Sequence, residues 1–526
     1  MLLKDKLLLW LDNSFLHFGI ARYLQEQNYD LFAILDVNEP INKFFQNQKL
    51  VQFKKIWYFY DHISKTKLDL DYLKKIEEKY KINLWSIVYT DRMFHSKFNK
   101  YYQFEHDEIL SIIEQECRFF EHLLNEIRPK YLLMNFVTQH YQYLIYKICT
   151  ALGITVLTVE PLRFGDKCMI ANGTIYDLKD IGNYNKTKHR TVKTIEEIQN
   201  FLKSNRPARF YLEEKSHTKY KISKWEKLKA FLQFFFLPQV VTSAKQFRYY
   251  GRNRINVLTK GTARIHLLKK KYREFFMNKN FLREINDKTP FVYFPLHYEP
   301  ERVLFMGAPF YTEQLAVINN IAKSLPIGYK LYVKEHPVME TQGWRKKSFY
   351  KQIMELPNVQ MIHPSITTEE IMKKCSLVIT IRGTTSLEAT FYGKPSVVFM
   401  ADSGYTTVPS VHILKNIDEL PNAIRLSLEK KVDPSELNDY IDFIEKNSFE
   451  FPNERYSFEI SHRFNYNVGY LKQEEIQVDK MESFLNEFSS IFQKLAEEYI
   501  KKMNKDFLFI QRIDHKKLVA FWANLI

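Results

Sequence analysis

Apolar and polar positions along the first 185 residues alternate between the two-residue and the 3.6-residue periods. Lys6–Leu11 is a compact apolar run of strand length, and a helical pattern follows over Phe15–Gln27. Leu31–Leu35 reads as a second strand ending at Asp36, and Asn83–Tyr89 as a further strand running into Thr90-Asp91-Arg92. A long amphipathic pattern from Glu108 to Ile127 stops at Arg128-Pro129, because proline cannot continue a helix. Tyr131–Asn135 and Ile154–Val159 are strand-like and flank a helix over Tyr141–Leu152, which Gly153 closes. Strands that alternate with helices predict a parallel sheet covered on both faces, so residues 1–185 are expected to form a Rossmann-like domain.

Residues 186–289 lose this rhythm and read as a basic helical segment. Within it Trp225, Leu228, Leu232 and Phe235 follow at spacings of 3, 4 and 3, one face of a helix, with Lys224, Lys227 and Lys229 beside or behind it until Pro238 breaks the run. Residues 290–425 restore the alternation. Strands are expected at Phe291–Leu296, Leu331–Val333, Val359–Ile362, Leu377–Ile381 and Ser396–Met400, with a helix over Thr312–Lys323. Thr367 and Glu370 have capping-box spacing before Ile371–Lys374, and Gly383-Thr384-Thr385-Ser386 precede a helix opening at Leu387. Gly393-Lys394-Pro395 turns the chain into the last strand. This is a second doubly wound α/β domain, and residues 426–526 read as a helical tail of mixed charge.

Composition supports several cores, since 45% of the 526 residues are hydrophobic and 15% aromatic. The formal charge of +16 is concentrated: residues 186–290 hold 26 Lys and Arg against 8 Asp and Glu, leaving 51 basic and 53 acidic residues elsewhere. Such a segment attracts either an anionic membrane surface or nucleic acid, and no nucleic-acid motif accompanies it. Equally, its apolar face could pack onto the protein and leave the lysines solvated. Cys117, Cys149, Cys168 and Cys375 form no CxxC pair, and no histidine cluster has metal-ligand spacing. A reducing, cytoplasmic compartment without a structural metal is expected. The apolar run at Met1–Trp10 ends at Asp12 with no small-residue cleavage site, and reads as a buried strand rather than a signal peptide. No stretch approaches the roughly 18 uninterrupted apolar residues of a spanning helix.

Candidate chemistry collects at three strand ends of the second domain: His297-Tyr298-Glu299-Pro300-Glu301, Lys334-Glu335-His336-Pro337, and Arg382-Gly383-Thr384-Thr385-Ser386. Ligands of open α/β sheets sit beyond the carboxyl ends of the strands, so the convergence matters more than any one cluster. Gly383 permits a close turn, and Thr384, Thr385 and Ser386 bring hydroxyls and amide donors to a helix start, either to hold phosphate or only to cap the helix. Glu388 could accept from ribose hydroxyls or merely complement the helix dipole. Pro337 makes the backbone at His336 extended, so the strand is expected to continue outward. His336 could donate to a leaving phosphate; a solvated Lys334–Glu335 pair is the plainer alternative. In the first domain Asp91 is the candidate general base, against a structural ion pair with Arg92, and Glu299 and Glu335 are competing carboxylates.

In order and combination, Phe294–Glu301, Val333–Pro337, Leu356–Val359, Gly383–Ala389 and Gly393–Pro395 resemble the capsule polysaccharide biosynthesis proteins, GT-B glycosyltransferases related to capsule β-Kdo transferases. The first domain is similar more loosely, through Thr90-Asp91-Arg92 and the stretch from Arg128-Pro129 to Arg163. Residues 186–290 and the last hundred have no counterpart. The resemblance implies two Rossmann-like domains across a cleft, His336 on the donor phosphate, Thr384, Thr385 and Ser386 on phosphate, and Glu388 near the ribose. It further implies a CMP-activated acid sugar such as CMP-Kdo as donor, a glycan or glycolipid acceptor, and no catalytic metal or cofactor. Donor contacts then fall to Lys334, Arg382, Gly383, Thr384, Thr385, Ser386, Glu388 and Glu299, and catalysis to His336, Glu335 and Asp91. Two other readings stay open: a polyol-phosphate transferase of the teichoic-acid kind, and a non-catalytic subunit binding sugar nucleotide or glycan in an assembly complex. The former usually has an aspartate and paired serines where Arg382–Thr385 stand.

Overall fold

The computed structural model describes residues 4–27, 29–37, 39–62, 67–95, 103–162, 166–173, 194–204, 259–285, 289–299, 302–400, 408–464 and 476–504. The expected helix face at Trp225–Phe235, its three lysines, and Arg163, Pro300 and Glu301 lie outside them.

The first sheet is built around β1 (Lys6–Asp12), whose Leu7–Leu11 are enclosed on both faces. Burying a leucine contributes about 1.5–3 kcal/mol, so a strand of consecutive apolar residues is driven to the centre of a sheet. β2 (Asp30–Asp36) and β3 (Lys55–Tyr58) pair on one side of β1. β4 (Tyr131–Met134), β5 (Thr155–Pro161) and β6 (Lys167–Asn172) continue on the other, and only β6 of these runs antiparallel.

The second sheet comprises β7 (Phe291–Pro295), β8 (Lys330–Lys334), β9 (Val359–Ile362), β10 (Leu377–Thr380), β11 (Ser396–Val398) and β12 (Val411–Ile413). Its order, β12-β11-β10-β7-β8-β9, is parallel throughout. In both sheets the chain starts at the centre, winds to one edge and then crosses to the other. That is the Rossmann order, and its switch points fall between β1 and β4 and between β7 and β10. The two-domain α/β architecture expected from the alternation is therefore present.

Three expectations change. Asn83–Tyr89 is not a strand: Leu84–Val88 is a helix, and the Asn83 side chain caps it by accepting from Ser86 N–H at 2.8 Å. A short apolar run does not distinguish a buried helix turn from a strand, and the cap decides. Beyond His336 the strand does not run outward. His336 is extended (φ −68°, ψ 125°), but Pro337 opens a 3-10 helix, Pro337–Gln342, where the missing proline N–H costs nothing. The helix after Gly383 begins at Thr385, earlier than Leu387.

The chain after residue 447 returns to the first sheet. β13 (Phe449–Glu450) pairs antiparallel with β6, and the helix Asn453–Arg463, the helix Val478–Glu487 and residues 489–504 bury Tyr456, Phe484, Phe492 and Tyr499 in the first core. The last helical turns are thus part of the first domain. Of the basic segment, the helices Ile195–Ser204 and Thr259–Asn280 are described. Among the described residues no helix is long and apolar enough to cross a membrane. All four cysteines are free and buried.

Candidate functional site

The carboxyl ends of β8, β7 and β10 lie side by side, so the three polar clusters become three adjacent loops. The β7 loop is in the middle. His297 stands next to β10: its Nε2 is 3.1 Å from Thr380 Oγ1, and Thr380 in turn donates to the Arg382 carbonyl at 3.3 Å. Gly383 turns at φ 126°, and a methyl group there would lie 3.6 Å from His297 Cε1. On the other side the Tyr298 ring sits 6.0 Å from that of His336. His297 and Tyr298 thus bridge Gly383 and His336 across the switch point.

The half-buried His336 accepts from Val338 N–H through Nδ1 at 3.2 Å. A neutral imidazole engaged in this way carries its proton on Nε2. Lys334 is almost fully enclosed at the end of β8.

Two carboxylates at this edge are structural. Glu335 is wholly buried; its Oε1 accepts from His336 N–H at 2.7 Å, and its Oε2 from Arg345 Nε at 2.9 Å and the Tyr350 hydroxyl at 2.8 Å. Glu299 meets Arg345 at 2.8 Å and accepts from Gln314 Nε2 at 2.7 Å. Arg345 also donates to the His297 carbonyl, and Gln314 clamps both the amide of His297 (2.7 Å) and its carbonyl (3.2 Å). Burial pushes the Glu335 carboxyl up, although Arg345 pulls against it. For Arg345 burial opposes the charge, but Glu335 and Glu299 outweigh it and hold the guanidinium firmly protonated. One guanidinium therefore ties the β7 loop to the β8 loop. Gln314, Arg345 and Tyr350 escaped the sequence reading because nothing local marks them: they lie 17, 10 and 15 residues from the groups they hold.

The β10 loop divides by burial. Thr384 and Thr385 are half-buried at the helix start, and Thr384 Oγ1 donates to Glu388 at 2.9 Å. Ser386 is enclosed, with its hydroxyl turned back onto the Gly383 carbonyl at 3.0 Å, so it shapes the turn. Buried Arg382 donates to the Gly307 carbonyl at 2.7 Å. Gly307 follows Met306, whose side chain joins the core of the first domain, and Phe305 packs 5.3 Å from the ring of His95. The two domains accordingly meet at Phe305–Gly307.

On the first domain's side, Asp91 does not end a strand. It caps the 3-10 helix Arg92–Phe94 through Met93 N–H at 2.8 Å, and it is buried. Its other oxygen is 2.8 Å from Nδ1 of His140, whose Nε2 is 2.9 Å from Glu116. The partner expected for Asp91, Arg92, is replaced by a histidine 49 residues away. Burial alone would lower the His140 pKa, but Glu116 and Asp91 raise it to about 10. Asp91 stays low despite burial because of His140, while burial raises Glu116. Half-buried Asp12, at the end of β1, is raised by burial and accepts from the amide of Ser14 at 2.9 Å. Asp36, at the end of β2, is pushed by burial to about 6 while accepting from Tyr60 (2.8 Å) and Tyr141 (3.0 Å). Among the described residues no group of His, Cys, Asp and Glu is arranged to hold a metal ion.

The family model described as capsule polysaccharide biosynthesis protein matches residues 237–403, which include β7 to β11 and all three loops of the site. The second domain is similar to the proteins of that family over this stretch, which is about a third of the chain. No curated protein matches the chain. Among solved structures, the β-Kdo 2,7 transferase KpsC of Thermosulfurimonas dismutans is 14% identical, over 73% of this chain and 97% of its own, with a TM-score of 0.29. The UDP-GlcNAc 2-epimerase of Methanocaldococcus jannaschii is 13% identical, over 84% and 99%, at 0.24, and a glycosyltransferase of Rickettsia africae 9%, over 88% and 99%, at 0.26. At such identities and scores these likenesses carry no residue role to this chain.

Proposed function

We propose that the chain is a metal-independent glycosyltransferase of capsule or surface polysaccharide assembly. It transfers a sugar from a nucleotide-activated donor, a CMP-sugar such as CMP-Kdo, to a growing or lipid-linked glycan. One observation carries this reading: His297, His336 and the Gly383 turn converge on adjacent strand ends at the switch point of a Rossmann-ordered sheet. The amides of Thr384 and Thr385 and Nε2–H of His336 would receive the phosphate oxygens, with Lys334 supplying positive potential at the strand end. Breaking the anomeric bond leaves charge on that phosphate, and preorganised donors stabilise it more in the transition state than before it. The cytoplasmic face of the membrane is the site of action in this reading, and residues 186–290 meet its anionic surface.

The acceptor hydroxyl must lose a proton. Asp91, Glu299 and Glu335 are each enclosed and committed to a cation, so they position rather than abstract. Asp12 takes the base's place: it is half-buried at the switch point of the first sheet, and burial raises its basicity. The test is a thermal-shift comparison of CMP, CDP, UDP and GDP, followed by CMP release from CMP-Kdo in the presence of glycan acceptor. A specific nucleotide raises the melting midpoint by mass action. If none of the four does, the donor reading fails.

A further inference from the structure

The helix Thr259–Asn280 has two unlike sides. One is fastened to the second domain. Phe276 and Met277 enter its core, and Arg273 donates to the carbonyls of Gly343 (2.7 Å) and Trp344 (2.6 Å). Lys270 pairs with Glu340 at 3.0 Å, and Glu274 accepts from the Trp344 indole at 3.2 Å. The other side carries Leu268 and Phe275, both 68% exposed, and Tyr272, 55% exposed at the margin, where its hydroxyl accepts from Lys347 at 2.8 Å. Their spacings of 4 and 3 residues place them in one stripe. Exposed Lys271 and Lys279 fall on the same side, three residues after Leu268 and four after Phe275. The only acid of the helix, Glu274, is turned to the anchored side.

We propose that this face docks the enzyme on an anionic lipid surface. It deepens the membrane attachment suggested above by naming the contact, and it does not depend on which sugar is transferred. Two large apolar side chains flanked by lysines suit the boundary between headgroups and acyl chains: Leu268 and the Phe275 ring enter it, and the ammonium groups stay with the phosphates. Charge complementarity selects lipid over a protein partner, since the helix lies in the segment with 26 basic against 8 acidic residues. The anchoring is rigid enough to orient the site. Arg273 grips Gly343 and Trp344, the residues just before Arg345, and Arg345 holds both His297 and Glu335.

The experiment is flotation of the full chain with phosphatidylcholine vesicles, with and without phosphatidylglycerol, comparing wild type, Leu268→Ser/Phe275→Ser, and Lys271→Glu/Lys279→Glu. Wild type is expected to float only with the anionic vesicles and to be released by salt. Each double variant should lose at least ~10-fold in partitioning, while its melting midpoint and nucleotide-induced shift stay as in wild type. Absence of wild-type binding, or unchanged partitioning of both variants, overturns the proposal; the second result would move any attachment to residues 205–258. A change from dimer to monomer in the Leu268→Ser/Phe275→Ser variant without loss of flotation overturns it in favour of a second copy of the chain. Because the nucleotide shift is read separately, failure here leaves the transferase reading standing.

Discussion

Gly383 faces His297, so that a methyl group on it would lie in ordinary van der Waals contact 3.6 Å from the imidazole Cε1, and its φ of 126° lies where only glycine is at ease. The replacement Gly383→Ala should therefore act through backbone strain, which displaces the turn at the switch point. Strain at positive φ costs about 1 kcal/mol or more, and displacement of the turn should weaken nucleotide binding at least ~10-fold, about 1.4 kcal/mol. Calorimetric titration with the nucleotide that gives the largest thermal shift checks the second effect, and the melting midpoint the first. Unchanged affinity would separate Gly383 from the donor site.

His336 Nδ1 accepts from Val338 N–H at 3.2 Å at the start of a 3-10 helix. His336→Ala should leave the fold intact, since the ring is half-buried and the helix that it caps is a short 3-10 turn. Transfer should fall by about 10²–10⁴, the usual contribution of a positioned proton donor. Steady-state turnover beside a melting curve decides; a folded variant with wild-type turnover removes His336 from the mechanism.

Arg345 is the cation between two buried carboxylates. Arg345→Met leaves both uncompensated and should destabilise the second domain by about 3–5 kcal/mol, the cost of breaking a buried pair from one side. Adding Glu299→Gln and Glu335→Gln to that variant should recover much of the loss, because no buried charge then remains. Denaturant unfolding of the single and triple variants measures it. Equal midpoints for wild type and Arg345→Met would show that the pair is solvated.

His140 gives the first domain a pH dependence of definite sign. Its pKa rises from 6.5 to about 10 on folding, so the protonated ring stabilises fully below about 6.5, and that contribution disappears as pH climbs through about 10. The melting midpoint of wild type should fall over this window. His140→Gln should melt lower at pH 7 and lose most of the slope. A wild-type midpoint that is flat from pH 7 to 10 would mean the ring is neutral between Asp91 and Glu116.

Gly19 is pressed against Phe492, where an added Cβ would sit 2.4 Å from a ring carbon. Gly19→Ala must displace a ring that is buried in the first core, at about 1–3 kcal/mol. Thermal unfolding should show it, and limited proteolysis should cut first between residues 464 and 504. Protection equal to wild type would mean that the C-terminal helices are not held through this contact.

The strand and helix alternation of both domains was legible in the chain because apolar runs such as Leu7–Leu11 and Phe291–Phe294 recur between amphipathic helical stretches, the pattern of a sheet covered on both faces. The polar clusters at the ends of β7, β8 and β10 were legible too, since parallel strands put their carboxyl ends together whatever the loops contain. Asn83–Tyr89 misled because its apolar run is short enough to suit either a strand or a buried turn. What folding alone decided is which polar groups are spoken for. Asp91 meets a histidine 49 residues on, Glu335 meets Arg345, and Tyr499 reaches His17 from 482 residues away. Local sequence sets the direction and period of each element, but the partner that neutralises or encloses a side chain comes from a remote segment. Burial and charge pairing are therefore properties of the packed molecule, and they are what separates a positioning carboxylate from a reactive one.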